Sequence, residues 1–329
     1  MLFPSITLKP CNRLINTSRQ VIAASLKTTK ATSKISNNHS DTLLCNKLAI
    51  LGGGKMAESI LNALKSKKIV PMEKVQCYDI NSSRMQALKK TYKIQTSVSN
   101  EECIDGADII ILAVKPQNIT AVAESIKKPV TGTLISILAG VSMSQLRENF
   151  NTEKVIRTMP NTPAMVLEGI TVWCASPETS PEVKVKAQIL LSSFGEEVEV
   201  SEEPYLDMAT AVSGSGPAYV FLTMEAMIDA SVHLGFPRAT ATKLVTATMR
   251  GSAIYSKLSE EELTTLRNNV TSPGGTTASA LYELERGGFR TVVADAIWSA
   301  YRRSLELGNK DSNVGPGRSK SNSNNNNNK

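Results

Sequence analysis

A glycine-rich turn between an apolar segment and a helix-like segment constrains the fold more than any other feature. The apolar segment KLAIL (47–51) is predicted as a buried strand, the letters GGGKMA (52–57) follow it, and a helical pattern then runs to residue 67. A G-x-G-x-x-A turn between strand and helix lets the backbone and the helix N-terminus approach a pyrophosphate. The pattern predicts a dinucleotide site at Gly52, Gly54, Lys55 and Met56, whereas the alternative is a purely structural glycine turn.

Strand-like and helix-like segments alternate from about residue 47 to residue 200. Further apolar runs occur at VQCYDI (75–80), ADIIILAV (107–114), TLISILA (133–139), KVIRTM (154–159) and ITVWCA (170–175). Because helix-length segments separate them, we predict an α/β fold with a Rossmann-type, doubly wound parallel sheet.

Helical segments alone follow residue 203, so the second domain is predicted to be all-α. They cover residues 204–234, 238–257, 259–268, 277–287 and 289–307. The segment AYVFLTMEAMIDASVHLG (218–235) is apolar on more than one face. In a region of about 100 residues, such a helix favours packing against a second subunit over burial inside a monomer.

The basic charge of the chain is concentrated at its N-terminus. Residues 1–40 contain six Lys and Arg residues and no Asp or Glu, out of a formal net charge of +7. A basic, acid-free, Ser- and Thr-rich leader predicts mitochondrial targeting, with a disordered tail on a cytoplasmic protein as the alternative. The rest of the chain has no comparable basic excess, so nucleic-acid binding is not expected. It also has no apolar run of about eighteen residues, so no membrane span is expected.

Two residue types limit the chemistry. The chain has two histidines, and its five cysteines form no C-x-x-C pair. Neither a metal site nor a disulfide framework is therefore expected. The Gly-, Ser- and Asn-rich segment 309–329 cannot bury a core and is predicted to be a disordered tail.

Two further features bear on the predicted nucleotide site. Asp79 ends the second predicted strand, where a carboxylate can bind the adenosine ribose and favours NAD over a 2′-phosphate. Arg84 follows closely and can balance a phosphate, so the choice between NADH and NADPH stays open. Lys115 follows the apolar run 107–114, at the edge where such sheets bind ligands, although an ordinary solvated lysine is an equal alternative.

The segment SPGGTT (272–277) combines a sharp loop with a helix start. Unpaired N–H groups and threonine side chains at a helix N-terminus can bind a carboxylate. Plain N-capping by a threonine is the alternative, and the residues alone favour neither.

These motifs together resemble the pyrroline-5-carboxylate reductase family over about residues 46–307. The resemblance rests on GGGKMAESI (52–60), AVKPQ (113–117), RTMPNTPA (157–164), SGSGPAYVF (213–221), TSPGGTTASAL (271–281) and LERGGFRTVVADA (284–296). It implies a Rossmann domain (46–203) and a helical substrate-binding and dimerisation domain (204–308). The segment 1–45 lies outside it as a targeting or disordered leader. The family reduces 1-pyrroline-5-carboxylate to L-proline with NADPH or NADH, the last step of proline biosynthesis, in dimers that often assemble into decamers.

The resemblance also implies roles for single residues. Cofactor contacts fall on the glycine turn and on Asp79, Asn100, Ala113, Val114, Lys115, Ala139 and Asn269. Substrate contacts fall on Glu260, Thr276 and Thr277; many relatives carry Ala at 276, which matters little if the backbone N–H makes that contact. Family members that prefer NADPH often carry a small hydroxyl residue at position 79, so Asp79 leaves NADPH use open. Our hypothesis is that the Thr277 hydroxyl binds the imine nitrogen as the catalytic group.

Two other functions fit part of the pattern. A hydroxyacid dehydrogenase shares the layout but needs a Lys or His acid–base residue, and His233, at the end of a predicted helix, is interpreted as structural. A nucleotide-sensing scaffold without turnover would be expected to lack SPGGTT, which is present here.

Overall fold

The computed structural model describes residues 44–318, so the predicted targeting segment lies almost wholly outside the described residues. Contacts between Cα atoms divide the chain into two compact units. The sheet unit comprises residues 44–223 and 285–318, and the helical unit comprises Met224–Leu284. The predicted boundary at 203/204 is different, because helices on both sides of the helical unit pack with the sheet.

The sheet unit contains one eight-stranded sheet within the described residues. Its strands are β1 (Leu48–Leu51), β2 (Val75–Tyr78), β3 (Gln95–Thr96), β4 (Ile109–Leu112), β5 (Thr133–Ser136), β6 (Val155–Met159), β7 (Gly169–Ala175) and β8 (Gly195–Glu199). The strand order is β3-β2-β1-β4-β5-β6-β7-β8. This arrangement confirms the predicted Rossmann-type fold.

The sheet is mixed, because β7 runs antiparallel to β6 whereas every other pair is parallel. The connection between them holds only a short 3₁₀ turn, Thr162–Val166. A parallel crossover needs a dozen or more residues, so this connection can only reverse the chain. The predicted doubly wound parallel sheet is thus parallel at every strand pair except this one.

Helices cover most of the remaining described chain. They are α1 (Lys55–Lys67), α2 (Ser82–Tyr92), α3 (Asn100–Ile104), α4 (Ile119–Glu124), α5 (Met143–Phe150), α6 (Pro181–Ser192), α7 (Pro204–Ala209), α8 (Gly216–His233), α9 (Arg238–Leu258), α10 (Leu263–Asn269), α11 (Thr276–Arg286) and α12 (Phe289–Leu307). Side-chain caps at Asn81, Ser99, Ser142 and Ser180 fix the starts of α2, α3, α5 and α6.

The central strands are buried on both faces, which holds the glycine turn in place. All four residues of β1 are buried, and so are all four of β4. Leu48 and Ile50 belong to one apolar cluster of the core, whereas Ala49 and Leu51 belong to another. This alternation across the pleat is expected where helices cover both faces of a sheet.

A buried ion network links the sheet to the start of the C-terminal segment. Arg157 of β6 donates to Glu203 at 2.7 Å and to Asp207 of α7 at 2.9 Å. Lys310 donates to the other carboxylate oxygen of Asp207 at 2.5 Å. The Arg157 side chain is 2% exposed and that of Asp207 is 1% exposed. We call these four residues the buried ion network.

The first residues of the predicted disordered tail also contact α12. Arg302 of α12 donates to the carbonyls of Val314 and Pro316, each at 2.9 Å. The prediction of disorder from residue 309 is therefore wrong for 309–318, because backbone carbonyls and one lysine pair with charged side chains of the sheet unit. Residues 319–329 lie outside the described part of the chain.

The helical unit contains α9, α10 and most of α8 and α11. No residue of α8 is buried, although Phe221 and Leu222 are large apolar side chains. Between residues 44 and 318, the structure contains no helix with both the length and the apolarity that a membrane crossing requires.

Candidate active site

The glycine turn follows β1 and lies against the end of β4. Gly52 adopts a φ of +101°, and a Cβ atom there would lie 2.6 Å from the Ala113 carbonyl oxygen. Gly52 N–H also donates to the Tyr78 carbonyl at 2.8 Å. Only glycine satisfies both the left-handed backbone and this close approach. The turn therefore joins the carboxyl ends of three neighbouring strands.

Gly54 leaves the start of α1 accessible. It is the N-cap residue of α1 and makes no side-chain cap, and a Cβ atom there would meet nothing within 4 Å. Lys55 is exposed and Met56 is half-buried at the first two helical positions. Exposed N–H groups and the positive end of the helix dipole suit a pyrophosphate, so these residues fit a dinucleotide.

Asp79 follows β2 directly, as the sequence predicts. Its carboxylate accepts hydrogen bonds from the Gly53 N–H at 2.7 Å and from the Asn81 N–H at 2.8 Å. These bonds fix the carboxylate beside the turn, at the end of the strand where a ribose binds in such sheets.

Arg84 lies across the same turn. Its Nε donates to the Gly53 carbonyl at 2.6 Å, and its Nη2 donates to the Glu58 carboxylate at 2.7 Å. The sequence leaves Arg84 available for a phosphate, whereas in the structure the guanidinium is already paired with a carboxylate.

The remaining predicted cofactor residues of the sheet unit follow other strands. Ala113 and Val114 come directly after β4, exposed Lys115 precedes the 3₁₀ turn Pro116–Asn118, and Ala139 lies between β5 and α5. Asn100 begins α3, and its Nδ2 donates to the Ser125 Oγ at 2.9 Å. Since these strands are parallel to β1, their carboxyl ends share one edge of the sheet.

A pocket of about 410 Å³ adds residues to which the sequence analysis gave no role. Asn161, which lines it, accepts from the Ile170 N–H at 3.0 Å and donates to the Ser213 carbonyl at 3.2 Å. A π-helical turn, Thr210–Gly214, contributes to the same pocket, and such turns are frequent at functional sites. These residues belong to the motifs RTMPNTPA and SGSGPAYVF and their neighbours, but the sequence does not indicate the contacts that they make.

The predicted substrate residues lie in the helical unit. Thr276 and Thr277 are the first two residues of α11, with Thr276 exposed and Thr277 half-buried. The preceding Gly274 has a φ of +66°, and Gly275 N–H donates to the Ser272 carbonyl at 3.0 Å, which closes the sharp loop. This geometry leaves the helix start on a tight turn, as a carboxylate-binding N-terminus requires.

The other two predicted residues of this unit lie before α10 and at its end. Glu260 is exposed in the connection before α10, and Asn269 is its last residue. The Asn269 Nδ2 donates to the carboxylate of Glu261, the sequence neighbour of Glu260, at 3.1 Å. The structure thus groups the predicted cofactor residues at the sheet edge in one unit, and places Glu260, Asn269, Thr276 and Thr277 in the other.

Comparison with known proteins identifies the family. The family model for pyrroline-5-carboxylate reductase dimerisation matches residues 203–307, and that for coenzyme F420-dependent NADP oxidoreductases matches residues 47–140. The pyrroline-5-carboxylate reductase of Synechocystis sp. is 42% identical over 264 residues, which are 80% of this chain and 98% of the relative. The chain belongs to the pyrroline-5-carboxylate reductase family.

Two further members of the family match a similar share of this chain. The enzyme of that name from Pisum sativum is 35% identical and covers 79% of this chain, with 95% of its own length matched. A crystal structure of Plasmodium falciparum pyrroline carboxylate reductase with NADP bound superposes with a TM-score of 0.73. It is 34% identical and covers 80% of this chain and 98% of its own.

Proposed function

We propose that this chain reduces 1-pyrroline-5-carboxylate to L-proline with NADH or NADPH, the last step of proline biosynthesis. The observation that carries the proposal is the open glycine turn of the sheet unit in a chain whose helical unit carries the SPGGTT helix start. Membership of the family, at 42% identity to the Synechocystis sp. reductase, supports the substrate.

The sheet unit binds the cofactor, and bound NAD(P)H supplies the hydride that reduces the imine carbon. The first N–H groups of α1 bind the pyrophosphate, while Asp79 fixes the adenosine ribose. Lys115, Asn100 and Ala139 complete the contacts along the sheet edge. Family membership and the NADP-bound relative support NAD(P)H as the cofactor.

The helical unit binds and orients the substrate. The N–H groups of Thr276 and Thr277 at the start of α11 bind the carboxylate. The Thr277 hydroxyl hydrogen-bonds the ring nitrogen and passes it a proton from water, since an iminium accepts hydride more readily than an imine. Glu260 supplies a further polar contact to the substrate, whereas Asn269 of the same unit contacts the cofactor.

A steady-state assay tests the proposal. Purified protein should oxidise NADH and NADPH only when 1-pyrroline-5-carboxylate is present, and L-proline should accumulate in equal amount. Simple hydroxyacids with the oxidised cofactors provide the rival substrates. Turnover of hydroxyacids without turnover of the imine would favour the dehydrogenase, and cofactor binding without turnover of either would favour the scaffold.

The active form is a homodimer at least, with a decamer as the larger assembly. The dimerisation model matches residues 203–307, and exposed apolar side chains such as Leu244, Ile254 and Tyr282 recur through the helical unit. Dilution below the dimer dissociation constant should therefore lower the activity per protomer. Light scattering coupled to activity measurement checks this expectation, which a fully active monomer would contradict.

The segment 1–40 directs the protein to mitochondria. Its six basic residues and absence of acidic ones support this proposal, and all matched motifs begin after residue 46. A reporter fused to the full chain should enter mitochondria, whereas a fusion lacking residues 1–40 should remain cytosolic with unchanged catalysis. Cytosolic full-length fusion would instead support the cytoplasmic alternative.

A further inference from the structure

Glu58 lies within one helical turn of the glycine turn. It occupies the fourth position of α1, and its N–H donates to the Gly54 carbonyl at 3.0 Å. Its carboxylate accepts the 2.7 Å hydrogen bond from Arg84 Nη2. Both side chains of this pair are only about one-third exposed (30% and 32%), so solvent screens them less than it screens a surface pair.

A second contact holds Glu58 in place. Tyr92, at the end of α2, is buried, and burial together with the charge of Glu58 and a hydrogen bond to it raises the pKa of the Tyr92 hydroxyl. The Nζ atom of Lys65 lies over the Tyr92 ring, 5.6 Å from the ring centroid. The position of Glu58 is therefore set by α2 on one side and by its own helix on the other.

The pairing fixes where the Arg84 guanidinium lies. Nε is bound to the Gly53 carbonyl, and a Cβ atom at Gly53 would lie 3.3 Å from the Asp79 Cβ and 3.4 Å from the Arg84 Cγ. Arg84 and Asp79 thus flank the same glycine, at the end of the strand where the adenosine ribose binds. Both Nε and Nη2 of the guanidinium therefore already donate hydrogen bonds to groups of the protein.

The charges at this place favour a ribose without a phosphate. The Arg84 guanidinium is paired with the Glu58 carboxylate, and the Asp79 carboxylate is bound to the Gly53 N–H, so the three ionised groups around this glycine sum to a net negative charge. A 2′-phosphate brought beside Asp79 meets like charge, and the cation that would bind it is already paired. Removing the Glu58 charge would free Nη2 and make the local sum neutral.

We propose that Glu58 is a specificity-determining residue that holds Arg84 on the glycine turn and thereby favours NADH over NADPH. It acts through Arg84 and is therefore a positioning residue. This inference rests on one part of the proposed function, the dinucleotide site. It concerns cofactor binding and not turnover.

Calorimetric titration of the full chain with NADH and with NADPH tests the proposal. Glu58→Gln should strengthen NADPH binding relative to NADH binding by about threefold or more, because the Arg84 guanidinium, no longer paired with a carboxylate, can bind the 2′-phosphate. Arg84→Ala should shift the ratio the opposite way. In the Arg84→Ala background, Glu58→Gln should change the ratio by less than about twofold, since two residues that act together are not additive.

A matched control separates this effect from the general charge of the protein. Glu199 of β8 pairs with Lys184 at 3.0 Å, and β8 is at the opposite edge of the sheet from β3. Glu199→Gln removes the same charge and should leave the ratio unchanged. The affinity for NADH shows whether each variant retains a folded site.

The following results would overturn the proposal. One is a ratio unchanged by Glu58→Gln while NADH still binds. Another is that Glu58→Gln changes the affinity ratio equally in the Arg84→Ala background. Glu58 would then act through its own negative charge and not through Arg84. If neither cofactor binds the unmodified chain, the dinucleotide site and the proposed function fail together with this inference. Turnover of the imine with an unshifted ratio would overturn the inference alone.

Discussion

Replacing Thr277 with Ala is expected to lower kcat/KM for 1-pyrroline-5-carboxylate by about ten- to a hundredfold, or about 1.4–2.7 kcal/mol of transition-state stabilisation. The residue is half-buried in the first turn of α11, directly after the Gly274–Gly275 loop. In the proposed mechanism its hydroxyl orients the ring nitrogen, and the SPGGTT segment contains no histidine that could replace it. Steady-state kinetics with saturating NADH or NADPH measures the loss.

Two further variants identify the lost group. Thr277→Ser keeps the hydroxyl and should recover most of the activity. Ser279→Ala removes a hydroxyl from the same helix at an exposed position and should leave kcat/KM within about twofold of the unmodified chain. Unchanged kinetics of Thr277→Ala would exclude the hydroxyl from the mechanism.

Asp207→Asn is expected to lower the free energy of unfolding by about 3–5 kcal/mol. Asp207 is 1% exposed and pairs with both Arg157 and Lys310. Neutralising it leaves two cations in the buried ion network with only Glu203 to balance them. A buried charge that loses its partner retains the cost of its desolvation, which makes this the largest stability change expected from a single isosteric replacement here.

Denaturant unfolding at one fixed protomer concentration measures the change, since association also stabilises the folded state. Asp105→Asn provides the matched control, because Asp105 pairs with Lys128 at 3.2 Å and both side chains are more than half exposed (60% and 58%). Asp105→Asn should lower the free energy of unfolding by less than about 1 kcal/mol. An equal effect of the two replacements would show that the buried ion network does not stabilise the fold.

The central strands could be predicted because burial on both faces makes them almost wholly apolar. LAIL and IIIL are in β1 and β4, where the alternation predicts them. β8, with the sequence GEEVE, was missed because an edge strand tolerates charged side chains and loses the apolar signature. The two residues of β3 are too few to form a pattern. The reversal at β7 follows from the length of a connection, which an apolar run alone does not reveal.

The site was predictable where backbone geometry dictates the residue type. Gly52 must be glycine because of its φ and its contact with Ala113, so the turn is visible in the sequence. The pairing of Arg84 with Glu58 was not predictable, because the two residues are 26 positions apart and meet only when α1 and α2 pack. The same reason hid the role of Lys310, whose partner Asp207 is 103 positions away.

In the proposed reaction, hydride passes from the nicotinamide to the imine carbon of 1-pyrroline-5-carboxylate. Mass spectrometry of the product formed with NADH or NADPH deuterated at the transferring C4 position tests it most directly. L-proline with one deuterium at C5 should form in equal amount to the oxidised cofactor. Proline without deuterium, or cofactor oxidation without proline, would exclude this hydride transfer.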